Sequence, residues 1–362
     1  MNVIQLKSDR QLLKKGGGAI SFFWTSIFIV STLMLSSTMS YAEGDIVNIY
    51  SARKEALILP LLERFEKETG IGFNLVTGKA DGLLKRLEIE GDMSPADIFI
   101  TVDAGRLQRA KDAGVLQAID NPVLKKKIPK HLRDEDNFWF GMSQRARTMI
   151  YVKDRVKLEE MSTYEGLADP KWEKRLCVRS SGNIYNQSLV VSMIETNGEK
   201  ATEDWAKKLV ANFAKKPAGG DTDQLKAAVA GVCDIALVNT YYFGRLINSK
   251  KEKDRDMAAK LAVFWPNQGE SERGVHVNVS GAGITKHATH IKAANQLLEF
   301  FVKDDSQKWY AEVNNEYPVV PDAPISETLR RFGAFKADKL NLTILGKNNA
   351  KAVRLMDRAG WR

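Results

Sequence analysis

The sequence predicts a bilobal α/β protein, in which two α/β lobes are joined by two crossing segments and enclose a ligand cleft. Three observations favour this fold class. Strands and helices alternate in the order βαβαβ near the N-terminus, the alternation resumes after residue 143, and two extended segments lie where the chain can pass between halves. The length agrees, because about 320 residues after removal of a leader are too many for one compact core.

The first 42 residues are typical of a secretory signal peptide. Four basic residues precede the apolar stretch AISFFWTSIFIVSTLML, and Ser40 and Ala42 occupy the −3 and −1 positions of a cleavage site. A membrane anchor is the alternative, although seventeen residues are marginal for a bilayer span. No cysteine follows the stretch, so a lipoprotein anchor is not expected. We therefore expect an exported protein, cleaved after Ala42.

The first elements of the exported chain form a βαβαβ unit. IVNIY is predicted as a strand, and the helix that follows places Ile58, Leu61, Leu62 and Phe65 on one face and stops at Gly70. IGFNLVTG is a second strand, GLLKRLEIEG a second helix and SPADIFITV a third strand. This order predicts a parallel sheet with helices on both faces, whose ligands bind beyond the carboxyl ends of the strands.

The second half repeats the alternation. KRLCVRSSGNIYNQSLVVSMIETNG is predicted as a strand, a polar turn and a helix ending at Gly198, and TEDWAKKLVANFAKK as another helix. DTDQLKAAVAGVCDIALVNTYY follows as helix, strand and turn, while FGMSQRARTMIYV and GVHVNVSGAGIT are the crossing segments. We expect lobe 1 to comprise residues 43–143 and 276–315 and lobe 2 residues 144–275. Residues 316–362 are expected to form a C-terminal helical segment packed on the lobes.

Charge and motifs argue against several classes of protein. The leader holds four of the 54 Lys and Arg and one of the 45 Asp and Glu, so the remaining 50 and 44 leave an excess of +6. No basic run with interleaved aromatic residues is present, so nucleic-acid binding is not expected. We find no G-x-S-x-G, no H-E-x-x-H and no plausible Ser-His-Asp set, and we therefore expect no enzyme.

The chain contains two cysteines, Cys177 and Cys233. An even count in an exported protein favours a disulfide, which would close a loop of more than fifty residues. Two buried thiols are the alternative. A thiol metal site is less expected, because the pair lacks the short spacing that such sites use.

Residues 231–246, GVCDIALVNTYYFGRL, place Tyr241 and Tyr242 side by side where a predicted strand ends. Neighbours on a continuing strand face opposite sides, so both phenols can reach one point only if the strand has given way to a turn. From composition alone, aromatic packing is the commoner reason for such a pair, and a metal site is the alternative.

Six segments of the sequence, one of which includes the tyrosine pair, indicate a protein family. YSARKEALILPLLERFEKETGI, EGDMSPADIFIT, RSSGNIYNQSLV, VNTYYFGRL, GVHVNVSGAGITKHA and NNEYPVVP closely resemble periplasmic ferric-iron-binding proteins of bacterial ABC importers, which are bilobal periplasmic solute-binding proteins (type II). The resemblance extends from Ile46 to the C-terminus. It implies Fe³⁺ as cargo with Tyr185, Tyr241 and Tyr242 as ligands. It also implies a monomer in the periplasm of a Gram-negative bacterium that delivers iron to an inner-membrane ABC permease.

The chemistry of the ion agrees with this resemblance. Fe³⁺ is a hard acid that prefers anionic oxygen over sulfur ligands. A phenol is normally protonated at neutral pH, but it loses its proton when it coordinates such a cation. Three phenolates would neutralise the three positive charges of Fe³⁺.

The chain also departs from well-known members of the family. Some members carry a histidine after the first strand, where this sequence has Arg53, and some carry a carboxylate where it has Val102. Open positions on the ion would then take a synergistic anion, in the first place carbonate, held by the Arg53 guanidinium. The weaker candidates for anion binding are the helix start Ser181, Gly182 and Asn183, together with Asn239 and Arg145.

Other conspicuous side chains receive simpler interpretations. Arg147 either reaches the cleft with Arg145 or forms a structural ion pair. Glu55 is expected to be exposed rather than a ligand, and Asp97 and Asp103 to cap structure near strand ends. The histidines are expected on the surface: His131, His276, His287 and His290. The alternative function is a periplasmic binding protein for a small organic anion or polyamine-type solute, in which the tyrosines would stack or donate hydrogen bonds.

Overall fold

The computed structural model describes residues 45–362, and the predicted signal peptide lies outside them. The strands are β1 (Ile46–Ser51), β2 (Gly72–Thr77), β3 (Ile98–Val102), β4 (Phe140–Val152), β5 (Leu176–Cys177), β6 (Ile235–Asn239), β7 (Leu261–Phe264) and β8 (Val277–Ile284). The first helices are α1 (Leu59–Thr69), α2 (Ala80–Glu90), α3 (Ala104–Asp112), α4 (Pro122–Lys127), α5 (Ile184–Asn197), α6 (Glu199–Ala211) and α7 (Asp221–Val229). The later ones are α8 (Thr240–Ile247), α9 (Glu252–Ala259), α10 (Ile291–Phe301), α11 (Asp304–Trp309), α12 (Glu327–Arg331), α13 (Ile344–Lys347) and α14 (Asn349–Arg358).

The strands form a mixed, continuous sheet. Their order is β2-β1-β3-β8-β4-β6-β5, and β7 also pairs with β4. β1 is parallel to β2 and β3, which confirms the predicted βαβαβ unit. β8 runs antiparallel between β3 and β4, because it brings the chain back from the other half of the molecule.

Strand β4 connects the two halves of the sheet. Its first part, residues 140–146, pairs with β8, and its second part, residues 147–152, pairs with β6 on one side and β7 on the other. Nearly all of β4 and all of β8 are buried. Both predicted crossing segments are therefore strands at the centre of the sheet. The residue boundaries given above for the lobes stay a prediction.

The predicted apolar face of the first helix is confirmed. Leu61, Leu62 and Phe65 of α1 are fully buried, as is Ile58 at its N-cap, because the i, i+3, i+4, i+7 spacing turns them all toward the sheet. The helix ends at Gly70, whose φ of 74° is the left-handed conformation that glycine adopts without strain. Glu55 lies in the 3₁₀ turn before α1 and is half-buried.

The C-terminal segment is helical and touches several parts of the molecule. Helix α12 packs against α8, α13 against α3 and α5, and α14 against α5 and α6. Trp361 is fully buried, and its Nε1 donates to the carbonyl oxygen of Arg179 at 2.8 Å. Among residues 45–362, no helix has the length and apolar character that a membrane crossing requires.

A disulfide joins Cys177 to Cys233, as predicted, with 5.8 Å between the two Cα atoms. Cys177 belongs to β5, and Cys233 lies two residues before β6, the parallel neighbour of β5. The bond therefore ties together the two strands that precede Tyr185 and Tyr241.

Candidate metal centre

The structure brings the three predicted tyrosines together. Tyr185 lies in the first turn of α5, and Tyr241 and Tyr242 lie in the first turn of α8. Because α5 and α8 follow the parallel neighbours β5 and β6, both helices begin at the same edge of the sheet. The hydroxyl of Tyr241 donates to that of Tyr185 at 3.1 Å, and the rings of Tyr241 and Tyr242 lie 4.4 Å apart.

The conformation predicted for the tyrosine pair is wrong in one respect. A turn was expected at Tyr241 and Tyr242, whereas α8 starts directly after β6, with Asn239 as its N-cap. Neighbours on a helix are about 100° apart rather than on opposite sides, so the helix start also lets both phenols face Tyr185. Tyr241 is buried and Tyr242 partly exposed.

Burial disfavours ionisation of these phenols when no cation is bound. Desolvation, followed by the neighbouring Tyr185, raises the pKa of Tyr241 well above its usual value and that of Tyr242 to about 12. Both side chains are therefore neutral near pH 7 when no cation is bound. A bound cation at the phenol oxygens would reverse this preference, because it stabilises the phenolate form.

Arg53 faces this group from the loop after β1. Its Nη2 donates to the Glu316 carboxylate at 3.0 Å, and Nε and Nη1 are buried without a protein partner. Burial alone would lower the pKa of the guanidinium, but Glu316, Tyr310 and Tyr241 more than offset this and raise it. Arg53 thus keeps its charge and offers unused donors.

Arg145 and Arg147 lie on the same face of β4. They differ in whether any guanidinium nitrogen lacks a protein partner. Arg145 pairs with Asp103 at 3.3 Å, its guanidinium carbon lies 5.4 Å from the centre of the Tyr185 ring, and its Nη1 has no partner. Every nitrogen of Arg147 is engaged, by Asn186, Asn239, Asp221 and the Leu237 carbonyl oxygen. Arg147 is therefore a structural ion-pair partner, and Arg145 retains a donor for a ligand.

The remaining anion candidates lie at the starts of the two tyrosine-bearing helices. Ser181, Gly182 and Asn183 form the turn before α5, and Asn183 is its N-cap, although its Oδ1 is buried without a partner. Asn239 accepts from Arg147 through Oδ1 at 3.0 Å and has an unpartnered Nδ2.

A small cavity next to Tyr185 is lined in part by His276, which was expected on the surface. The cavity is lined by Asp103, Arg145, Arg147, Tyr185, Asn239, His276 and Asn278. His276 was expected on the surface, but it is 3% exposed, because it directly precedes the buried strand β8. Burial, with Arg273, Arg145 and Arg147 nearby, lowers its pKa well below the usual value, so the imidazole is neutral. The Asp103 cap is confirmed: its carboxylate accepts from the Gly105 N–H at 3.0 Å.

Two further arginines near the phenols were not identified from the sequence. The Arg245 guanidinium lies 4.9 Å from the centre of the Tyr241 ring, one turn along α8, and the Arg179 guanidinium lies 5.6 Å from that of Tyr185. Only their spacing from the tyrosines could have indicated them. Among the described residues, no group of three or more His, Cys, Asp and Glu side chains could hold a metal ion.

Two α/β halves, joined by two crossing strands and facing each other across a polar cleft, define a bilobal solute-binding protein. The chain belongs to the family of bacterial extracellular solute-binding proteins, whose model matches residues 93–338.

Several proteins similar to this chain carry names that refer to iron. This chain is 45% identical over 320 residues to iron uptake protein A1 of Synechocystis sp., with 88% of each chain covered. The structure of Trichodesmium IdiA (FutA) in complex with iron and citrate ligands shares 48% identity and a TM-score of 0.85, covering 88% of this chain and all of that one. The ferric binding protein from Campylobacter jejuni shares 38% identity and a TM-score of 0.82, over 87% and 100%. The resemblance to ferric-iron-binding proteins is thus confirmed.

Proposed function

We propose that this protein binds one Fe³⁺ ion in the cleft through the phenolate oxygens of Tyr185, Tyr241 and Tyr242, for iron uptake. The observation that carries the proposal is the convergence of three phenols from two helix starts, with the Tyr241 and Tyr185 hydroxyls 3.1 Å apart. Three anionic oxygens suit a hard trivalent ion and cancel its charge. The names of the relatives support the same cargo.

A synergistic anion completes the proposed site. The arginines around the phenols outnumber their carboxylate partners by two: Arg53, Arg145, Arg147, Arg179 and Arg245 against Asp103, Asp221 and Glu316. Because three phenolates neutralise Fe³⁺, this surplus favours an anion of charge −2, such as carbonate. Citrate is the alternative, since one relative holds it together with iron.

Arg53 is the first candidate to hold this anion, and Arg145 the second. Both have buried guanidinium nitrogens without a protein partner, and a buried donor left unpaired carries a free-energy penalty that a ligand would remove. Arg53 remains the stronger candidate because two of its nitrogens are free, against one for Arg145. The Asn239 Nδ2 group and the α5 start at Ser181, Gly182 and Asn183 are supporting donors.

The proposed role in transport follows from the family. We infer that the protein is exported to the periplasm after cleavage at Ala42, acts as a monomer and delivers iron to an inner-membrane ABC permease. It carries out no reaction on its cargo in this role.

Colour and metal content test the proposal. Ferric tyrosinate absorbs visible light, so protein purified with one equivalent of Fe³⁺ and bicarbonate should be orange to red and should contain one iron per chain. Tyr242→Phe should weaken binding and change the visible band. A colourless protein that binds citrate without iron would refute the proposal and favour an organic-anion binding protein. Unchanged affinity and an unchanged band in Tyr242→Phe would refute the ligand assignment.

A further inference from the structure

Glu316 is a buried carboxylate at the edge of the cleft. It is 3% exposed and follows the π-helical turn Tyr310–Asn314. Its Oε2 accepts from Arg53 Nη2 at 3.0 Å and from Ser143 Oγ at 2.6 Å. A charge buried this deeply needs a partner, and Arg53 provides it from the other end of the sequence, 263 residues away.

The same short segment also contacts the helix that carries the tyrosine pair. Asn315 adopts the left-handed conformation, with φ of 57°, and its Oδ1 accepts from Asn248 Nδ2 at 2.7 Å, just after α8. A Cβ atom added at Gly244 of α8 would come within 2.7 Å of the Asn315 Cβ. Tyr317 in turn exchanges both backbone hydrogen bonds with Gln144 of β4, at 2.8 and 2.7 Å.

Residues 315–317 are therefore fixed on three sides: by α8, by β4 and by Arg53. This geometry links the position of Arg53 to the position of Tyr241 and Tyr242, which lie on α8. With one nitrogen held by Glu316, the two remaining nitrogens of Arg53 stay buried and free of protein partners. A flexible arginine without this contact would lose that orientation, since its side chain has many rotamers.

We propose that Glu316 is a positioning residue for anion binding: it orients Arg53 so that the free guanidinium nitrogens meet an anion bound beside the phenolates. The inference rests on the proposed function and goes beyond it, because it assigns the anion dependence of iron binding to a carboxylate that itself touches neither ion. What matters is the hydrogen bond from Arg53 to an oxygen at this position, rather than the negative charge of Glu316.

The test compares Glu316→Ala and Glu316→Gln with the wild type. Fe³⁺ affinity is measured without added anion, with bicarbonate and with citrate. The readout is the anion ratio, which is the affinity with each anion divided by the affinity without it. The wild type should show a higher affinity with at least one anion. In Glu316→Ala the anion ratio should be about tenfold lower than in the wild type, or lower still, as expected when a charge-assisted contact loses its orientation. Glu316→Gln should keep most of it, because the amide oxygen still accepts from Arg53.

Two controls separate positioning from general damage to the fold. Asp134 is also a buried carboxylate, paired with Lys111 at 2.9 Å away from the phenols, and Asp134→Ala should lower the melting temperature without changing the anion ratio. If Glu316→Ala does not fold, Glu316→Asp withdraws the carboxylate by one methylene group and should reduce the ratio as well.

The possible outcomes distinguish the positioning role of Glu316 from an effect of its charge and from failure of the proposed function. A wild-type anion ratio in folded Glu316→Ala, or in Glu316→Asp, would overturn the positioning role. An equal loss in Glu316→Gln and Glu316→Ala would also overturn it and assign the effect to charge. A wild type that binds iron with no response to either anion would remove the inference and leave iron binding intact. A wild type without iron binding would refute the proposed function itself.

Discussion

Replacing Tyr242 with Phe should reduce the number of protons that iron binding releases by about one. The pKa of Tyr242 is raised to about 12, so its phenol is protonated near neutral pH in the metal-free protein. At pH 7 its deprotonation costs about 7 kcal/mol, from five pKa units of about 1.4 kcal/mol each, and iron binding must supply this free energy. The variant keeps the ring and removes both the proton and the oxygen ligand.

The sign of the pH effect follows from the same value. Each unit by which the pH falls below the raised pKa makes deprotonation about 1.4 kcal/mol harder, so this phenol alone weakens iron binding tenfold per unit. The affinity of the wild type should therefore fall about tenfold more steeply per pH unit than that of Tyr242→Phe. At neutral pH the variant should bind iron more weakly, since it lacks one anionic oxygen.

Calorimetric titration of iron in buffers of different ionisation enthalpy counts the released protons, and visible absorption follows the tyrosinate band. Tyr50→Phe is the matched control. Burial and Glu90 raise the pKa of Tyr50 to about 12 as well, but its hydroxyl is bound to Glu90 at 2.9 Å. This variant should release as many protons as the wild type. Equal proton release by Tyr242→Phe and the wild type would show that Tyr242 is not an iron ligand.

Three further predictions concern the disulfide, the anion and the brace against α8. Replacing Cys177 and Cys233 together by Ala should lower the free energy of unfolding by about 4 kcal/mol, since the bond spans 56 residues; an unchanged denaturant midpoint would contradict this. Arg53→Ala should weaken iron binding and abolish its dependence on bicarbonate, and Arg53→Lys should restore part of both. An unaltered dependence in Arg53→Ala would make Arg145 the anion-binding residue. Gly244→Ala should reduce stability by about 1–3 kcal/mol and also lower iron affinity, because the added methyl group meets Asn315; wild-type values in thermal unfolding and iron titration would contradict it.

Local patterns account for the parts of the fold that could be predicted. The spacing of Ile58, Leu61, Leu62 and Phe65 determines which face of α1 is buried, and Gly70 supplies the conformation that ends the helix. The short strand β5 was predicted from the alternation of strands and helices, since a polar turn and a helix follow it. The mixed sheet was not predicted, since no local signal states that β8 returns antiparallel between β3 and β4.

The candidate site was predicted where its residues lie in distinctive motifs. Tyr185, Tyr241 and Tyr242 were identified by their segments, and the structure brings them together. Glu316 was missed although it lies in NNEYPVVP, one of the segments that carry the resemblance. Its significance depends on Arg53, 263 residues earlier, and no pattern along the sequence connects the two.

The burial of His276 was missed for a similar reason. A histidine before a strand carries no local sign that two arginines of the distant strand β4 will lie beside it. The pKa of His276 is lowered by that environment, which only the folded chain creates.

The placement of the phenols on one half of the molecule has a kinetic consequence. Tyr185, Tyr241 and Tyr242 all stand on α5 and α8, whereas Arg53 follows β1 in the other half. On the proposed function, an open molecule already offers every protein oxygen ligand to solvent before the halves meet. Binding of the ion is then governed by diffusion and by proton loss from the phenols. The residence time of the ion is governed by how long the half that carries Arg53 stays in contact with the half that carries the phenols. A transporter that separates the halves would thus shorten the residence time without first breaking a bond between iron and a phenolate oxygen.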